Sequence, residues 1–157
     1  MHPNALMSDQ LAVLDAINPV SQAAGTVTTA WVSAANFHRF LANVVTGVLG
    51  AGATVDAKLQ QATDGSGTGV KDVAGKAITQ IIKATGDNKV AMINLRSEEL
   101  DFANGFNFIR ASVTVGTTPS LVGVVLLGGV PRFAPPRDTG SNPSINLGSA
   151  NVVQIVA

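Results

Sequence analysis

A chain of 157 residues with 46% hydrophobic residues is long enough for one domain with a buried core. Ten Lys+Arg against ten Asp+Glu leave no net charge, and no basic half or tail exists, so nucleic-acid binding has little electrostatic basis. The absence of Cys excludes disulfides and thiolate-held metal.

Charged residues make up only 13% of the chain. Such a surface is either covered by other copies or partners, or belongs to a neutral, Thr-rich β protein. No basic region followed by an apolar segment opens the chain, so no secretory signal is expected. The longest nearly pure apolar stretch, residues 121–130, is well short of the ~20 residues a membrane helix needs, so no membrane contact is expected.

Residues 1–24 read as an N-terminal arm. Within it Ser8 is placed to cap a short helix carrying Leu11, Leu14 and Ile17, stopped by Asn18-Pro19. Residues 26–33 predict a strand, with Val27, Thr29 and Trp31 on one face. Residues 37–49 fit either periodicity, but β-branched content and Thr46-Gly47 favour a strand. Residues 53–60 alternate cleanly, Ala53, Val55, Ala57 and Leu59 against Thr54, Asp56, Lys58 and Gln60, which predicts a strand with one wet face.

A loop at 63–69 precedes a predicted helix over residues 71–84, where Val73, Ala77, Ile78, Ile81 and Ile82 form one stripe. Gly75 weakens that helix, and Gly86 suits its end. Residues 90–96 predict a strand, and Glu98, Glu99 and Asp101 an acidic turn. Ile109 to Val115 alternates, whereas Leu121 to Leu127 is continuously apolar and reads as a strand buried on both faces. The two are expected to pair as an antiparallel hairpin. Beyond Pro131, the prolines at 135, 136 and 143 exclude helix and central strand. Residues 131–157 therefore read as an extended arm ending in a short strand at 151–156. The whole predicts a mainly β protein: an antiparallel β-sandwich or jelly roll over 25–130, with one inserted helix and extended terminal arms.

No catalytic, cofactor-binding or metal site is expected. Gly65-Ser66-Gly67-Thr68-Gly69 invites a phosphate-loop reading, but Gly69 to Gly75-Lys76 is one residue too long, and Ala77 stands where a hydroxyl is needed. His2 and His38 are the only imidazoles, too few for a zinc site without Cys. The carboxylates read as a solvated turn that could pair with Arg96, Arg110 or Arg132 across a subunit contact. The aromatic residues read as core filling, except Phe133 on the proline-rich arm. Phe133, Pro135, Pro136, Val152, Val153 and Ile155 are the candidate subunit contacts, the last three on a strand able to join its own sheet or a neighbour's edge.

Four phrases carry a resemblance. They are Ala62-Thr63-Asp64-Gly65-Ser66-Gly67-Thr68-Gly69 continuing through Val70 to Gln80; Asn94-Leu95-Arg96-Ser97-Glu98-Glu99-Leu100-Asp101; Val113-Thr114-Val115-Gly116; and Gly128-Gly129-Val130-Pro131-Arg132. Together, over about residues 27–136, they resemble small virion proteins of tailed bacteriophages. The resemblance implies a non-enzymatic capsid decoration or cement protein, with a β-sandwich or jelly-roll domain. Such a protein binds the head shell, stabilises contacts between major capsid subunits, and associates with itself as a dimer or trimer. It also implies location in the virion after assembly in the host cytoplasm. A head–tail connector or tail component is the alternative.

Overall fold

The computed structural model describes Met7 and residues 10–132. Ten strands run through them: β1 (Leu11–Gln22), β2 (Gly25–Thr28), β3 (Val32–Ser33), β4 (Phe37–Thr46), β5 (Thr54–Ala62), β6 (Lys71–Ala77), β7 (Ile81–Ile82), β8 (Val90–Arg96), β9 (Phe108–Gly116) and β10 (Ser120–Pro131). One α-helical turn, α1 (Lys83–Gly86), joins β7 to β8.

The pairing is nested. β1 pairs with β10, β2 and β3 with β9, β4 with β8, and β5 with β6 and β7, all antiparallel. First meets last and middle meets middle, as in one long ribbon folded back on itself. Two further ladders, β10 with β4 and β9 with β5, roll that ribbon into two sheets. One is four-stranded, in the order β1-β10-β4-β8; the other runs β2-β9-β5-β6, with β3 and β7 attached to β9 and β5. This is the strand order of a jelly roll.

The core lies between the sheets. β10 and β4 contribute Val122, Val124, Leu126, Phe40, Ala42 and Val44; β5 and β9 contribute Val55, Leu59, Ile109, Val113 and Val115, all buried. These residues alternate along each strand, so the pleat places them on the inner face. Gly128 admits the ring of Phe37: a Cβ there would lie 2.8 Å from the ring.

Four expectations change. The N-terminal helix is instead β1, so residues 11–22 belong to the sheet and not to an arm. Leu11, Leu14 and Ile17 are spaced for a helix, but β10 offers an unbroken backbone partner. Two register shifts, after Val13 and after Ile17, absorb the extra residues, the second at Pro19. Proline is tolerated there because β1 is an edge strand.

The inserted helix over residues 71–84 does not form. Gly75 sits at φ +71° and breaks the run. Asp72 is drawn across to β5, accepting hydrogen bonds from Lys58 Nζ at 2.8 Å and Gln60 Nε2 at 2.9 Å. Tertiary pairing with β5 overrides an apolar stripe of weak helical propensity. The expected hairpin also fails, because β9 and β10 lie in different sheets. Finally, β10 is buried on its inner face only: Leu121 is 41% exposed, and Val125 and Leu127 are half-buried.

Elsewhere among the described residues the predicted strands form, while the one expected at 151–156 lies outside them. The strand at 26–33 is interrupted at Thr29, whose buried hydroxyl accepts from Ala111 N at 2.9 Å.

Candidate functional site

The outer face of the four-stranded sheet is apolar across its middle. The ladders place Val13 beside Leu127, then Leu41, then Asn94. The next outward row is Ala16, Val125, Asn43 and Met92, and the next holds Gly123, Val45 and Val90. Leu121 lies beyond them opposite Ser21. These rows carry no charge. Met92 is 64% exposed, Val90 56% and Val45 39%. Pro19, Val45, Val90 and Leu121 border a hollow of about 400 Å³. Charge returns only at the ends, with Lys89 at one and Arg39, Arg96 and Glu98 at the other.

The outer face of the other sheet is built differently. Its outward residues are Thr54, Asp56, Lys58 and Gln60 on β5 and Arg110, Ser112 and Thr114 on β9. They bond one another and their neighbours. Arg110 Nε donates to Gln60 Oε1 at 2.9 Å, Gln80 Nε2 to Asp56 Oδ2 at 2.8 Å, and the Thr26 and Thr114 hydroxyls lie 2.8 Å apart. Lys58 holds the Asp72 carboxyl below the usual carboxylate range, helped by Gln60. This face satisfies itself with water and its own side chains.

The glycine loop at 63–69 has a structural role. Asp64 Oδ1 accepts from the amides of Ser66 at 2.8 Å and Thr68 at 3.0 Å, closing the loop on itself. Its glycines lie against aromatic rings: Gly65 faces Phe108, Gly69 faces Phe106, and a Cβ on Gly67 would meet Trp31 Nε1 at 2.5 Å. Arg110 lies 4.4 Å from the Trp31 ring and Lys71 Nζ 3.9 Å from the centroid of Phe106. The space a phosphate would need is filled by these rings.

The acidic turn is consumed within the chain. Glu99 pairs with Lys76 at 2.8 Å, Glu98 lies 3.6 Å from Arg96 and 3.7 Å from Arg39, and Asp101 pairs with Lys71. These contacts are intrachain, two to lysines and two to arginines, with Arg96 among them. Lys76 lowers the pKa of Glu99, and Lys71 that of Asp101. Carboxylates held anionic in this way are poor general acids.

His38 sits half-buried at the start of β4. Among the described residues no cluster of His, Asp and Glu is placed to hold a metal ion, and no helix is long and apolar enough to cross a membrane. Phe37 and Phe40 do fill the core, 6.3 Å apart edge to face, whereas Phe102 is 42% exposed. The candidate contacts Phe133, Pro135, Pro136, Val152, Val153 and Ile155 lie outside the described residues.

The apolar face itself was missed by sequence reasoning, although a signal exists. Leu121 to Leu127, Phe40 to Val45 and Val90 to Ile93 are apolar at both parities of the pleat, Asn43 and Gly123 excepted. Strands read that way when both faces are covered.

No family model matches the chain, and no curated protein matches it. Solved structures do show likeness. A chain of Desmodium yellow mottle tymovirus aligns at 11% identity and TM-score 0.39, over 85% of this chain and 94% of that one. A chain of the cowpea mosaic virus empty virus-like particle aligns at 12% identity and TM-score 0.41, over 85% and 86%. The C-terminal family 22 carbohydrate binding module of Clostridium thermocellum Xyn10B aligns at 14% identity and TM-score 0.36, over 81% and 89%. At these scores the likenesses decide nothing about function. The jelly-roll assignment rests on the strand order, and function is argued from the surface.

Proposed function

We propose that this protein is a non-enzymatic structural component of a virus particle, specifically a capsid decoration or cement protein. It would bind the head shell and stabilise contacts between major capsid subunits. The observation that carries this reading is the apolar outer face of the four-stranded sheet, set against a self-satisfied polar face on the opposite side. A face of that kind is suited to being covered by protein. The resemblance of the sequence to small virion proteins of tailed phages supplies the kind of assembly. Lack of net charge fits a partner that is protein rather than nucleic acid.

In this reading residues 131–157 reach neighbouring subunits. Phe133, Pro135 and Pro136 anchor the arm, and Val152, Val153 and Ile155 add a strand to a neighbour's edge. β8 closes the four-stranded sheet and pairs only with β4 among the described residues, so it is a suitable acceptor.

The test is to add purified protein to particles lacking it and count bound copies. Decoration requires on the order of hundreds of copies, following shell symmetry. A single ring of copies at one vertex would instead assign the protein to the head–tail junction. Deleting residues 136–157 should lower occupancy; unchanged occupancy would remove the arm from the mechanism.

A further inference from the structure

We infer that the apolar outer face of the β1-β10-β4-β8 sheet is a self-docking surface, covered by the same face of a second copy to form a back-to-back dimer. The inference rests on the assembly reading in one respect, that this face is covered in the working protein. It names what covers it.

Three observations point to a second copy. The first is charge. An acidic or basic partner would call for a face of opposite sign, but the rows from Val13 to Val90 are neutral, and a neutral face can meet itself without repulsion. The second is extent. Four strands at ~4.8 Å spacing, with neutral outward residues from Leu121 to Leu127, cover roughly 400 Å² per copy. Two such faces bury about 800 Å², the low end of interface size, which suits a weak, reversible dimer. The third is the sequence pattern. The three adjacent strands β10, β4 and β8 carry apolar residues at both parities, whereas β5 and β9 in the opposite sheet keep polar residues on the outside. The double-sided pattern stops where this sheet stops.

Features within the face fit an isologous contact. Met92, flexible and the most exposed large apolar side chain among the described residues, stands on the same surface as the hollow between Val45, Val90 and Leu121. Every element of a two-fold contact is present twice, so each copy offers one knob and one hole. Asn43 sits at the centre of the face, half-buried between Val125 and Met92, and adds a polar group to the contact without adding charge.

The experiment uses the purified full chain with no particle present, so its result stands apart from shell binding. Sedimentation velocity from about 1 µM to about 500 µM should show a monomer–dimer equilibrium. Val45→Asp and Leu121→Asp, at exposed outward positions where folding tolerates charge, should each weaken the dimer by at least about tenfold. Thr28→Asp, in the opposite sheet, should leave it unchanged. Peroxide oxidation of Met92, read by mass spectrometry against exposed Met7 in the same chain, should slow as concentration rises. A monomer throughout, a dimer indifferent to both Asp variants, or concentration-independent protection of Met92 (as from the chain's own C-terminal residues) overturns the inference.

Discussion

The two outer faces of this jelly roll use the same backbone geometry and opposite chemistry. On the β9-β5 side, the outward residues are Thr, Ser, Lys, Asp, Gln and Arg, and their groups meet across strands, as Lys58 and Gln60 do on Asp72. On the β10-β4 side, the outward residues across the middle are Leu, Val, Met, Ala and Gly with two asparagines, Asn43 and Asn94, and charge returns only at the ends. The first face is finished in water. The second leaves apolar surface that folding alone does not bury, which is the physical meaning of a double-sided apolar strand. A protein with so few charges has placed them on the β9-β5 side and at the ends of the other sheet.

The sharpest way to test that division is within one strand. Leu126 and Leu127 are sequence neighbours on β10, one fully buried and one half-buried on the outer face. Leu126→Ala should cost about 2–5 kcal/mol of monomer stability in denaturant unfolding, because it leaves a cavity between the sheets. Leu127→Ala should cost less than about 1 kcal/mol in dilute monomer. Equal losses would mean that the outer face is already a second core and would break the comparison.

The same contrast explains which parts of the fold were legible. β5 was read correctly because Val55, Ala57 and Leu59 alternate with Asp56, Lys58 and Gln60, and one wet face leaves a clean period of two. β4 was harder, because Leu41 and Val45 add apolar residues on the outside and blur that period. β6 and β7 were misread for a related reason. They are short, the first is bent at Gly75, and both are held by one edge of β5, so Val73, Ala77, Ile78 and Ile81 match a helical stripe by coincidence of spacing. β1 was lost because its register shifts displace the alternation. The failed hairpin has another cause: nothing local in Gly116 to Ser120 signals that the chain crosses from one sheet to the other. As for the apolar outer face, its individual residues were visible, but only the ladders show that they share a face.

Acid should act on the polar side. The folded chain holds Asp72 below its ordinary value of 3.8 through Lys58 first and Gln60 second, so folding makes protonation harder. The resulting stability is present above the unfolded value and is lost as pH falls from there through the folded one. Denaturant titrations across pH 3–5 should therefore show stability declining with acid, with Glu99 and Asp101 adding to the slope in the same direction. Asp72→Asn should flatten part of that decline. An identical slope in the variant would show that the Lys58–Asp72 pair adds nothing to folding.

The smallest effect is expected for the lysine itself. Lys58 and Asp72 are 41% and 54% exposed, and their 2.8 Å contact lies in solvent where water competes for both partners. An exposed ion pair is worth about 0–1 kcal/mol, part of which is spent on ordering two long side chains. Lys58→Ala should shift unfolding by no more than about 0.5 kcal/mol, because Gln60 still donates to Asp72 and β5 keeps its ladders to β9 and β6. Repeating the measurement in high salt should shrink even that difference. A loss near that of Leu126→Ala would place stability on the polar face as well, and the two outer surfaces would no longer divide into one that finishes the fold and one that is left for a partner.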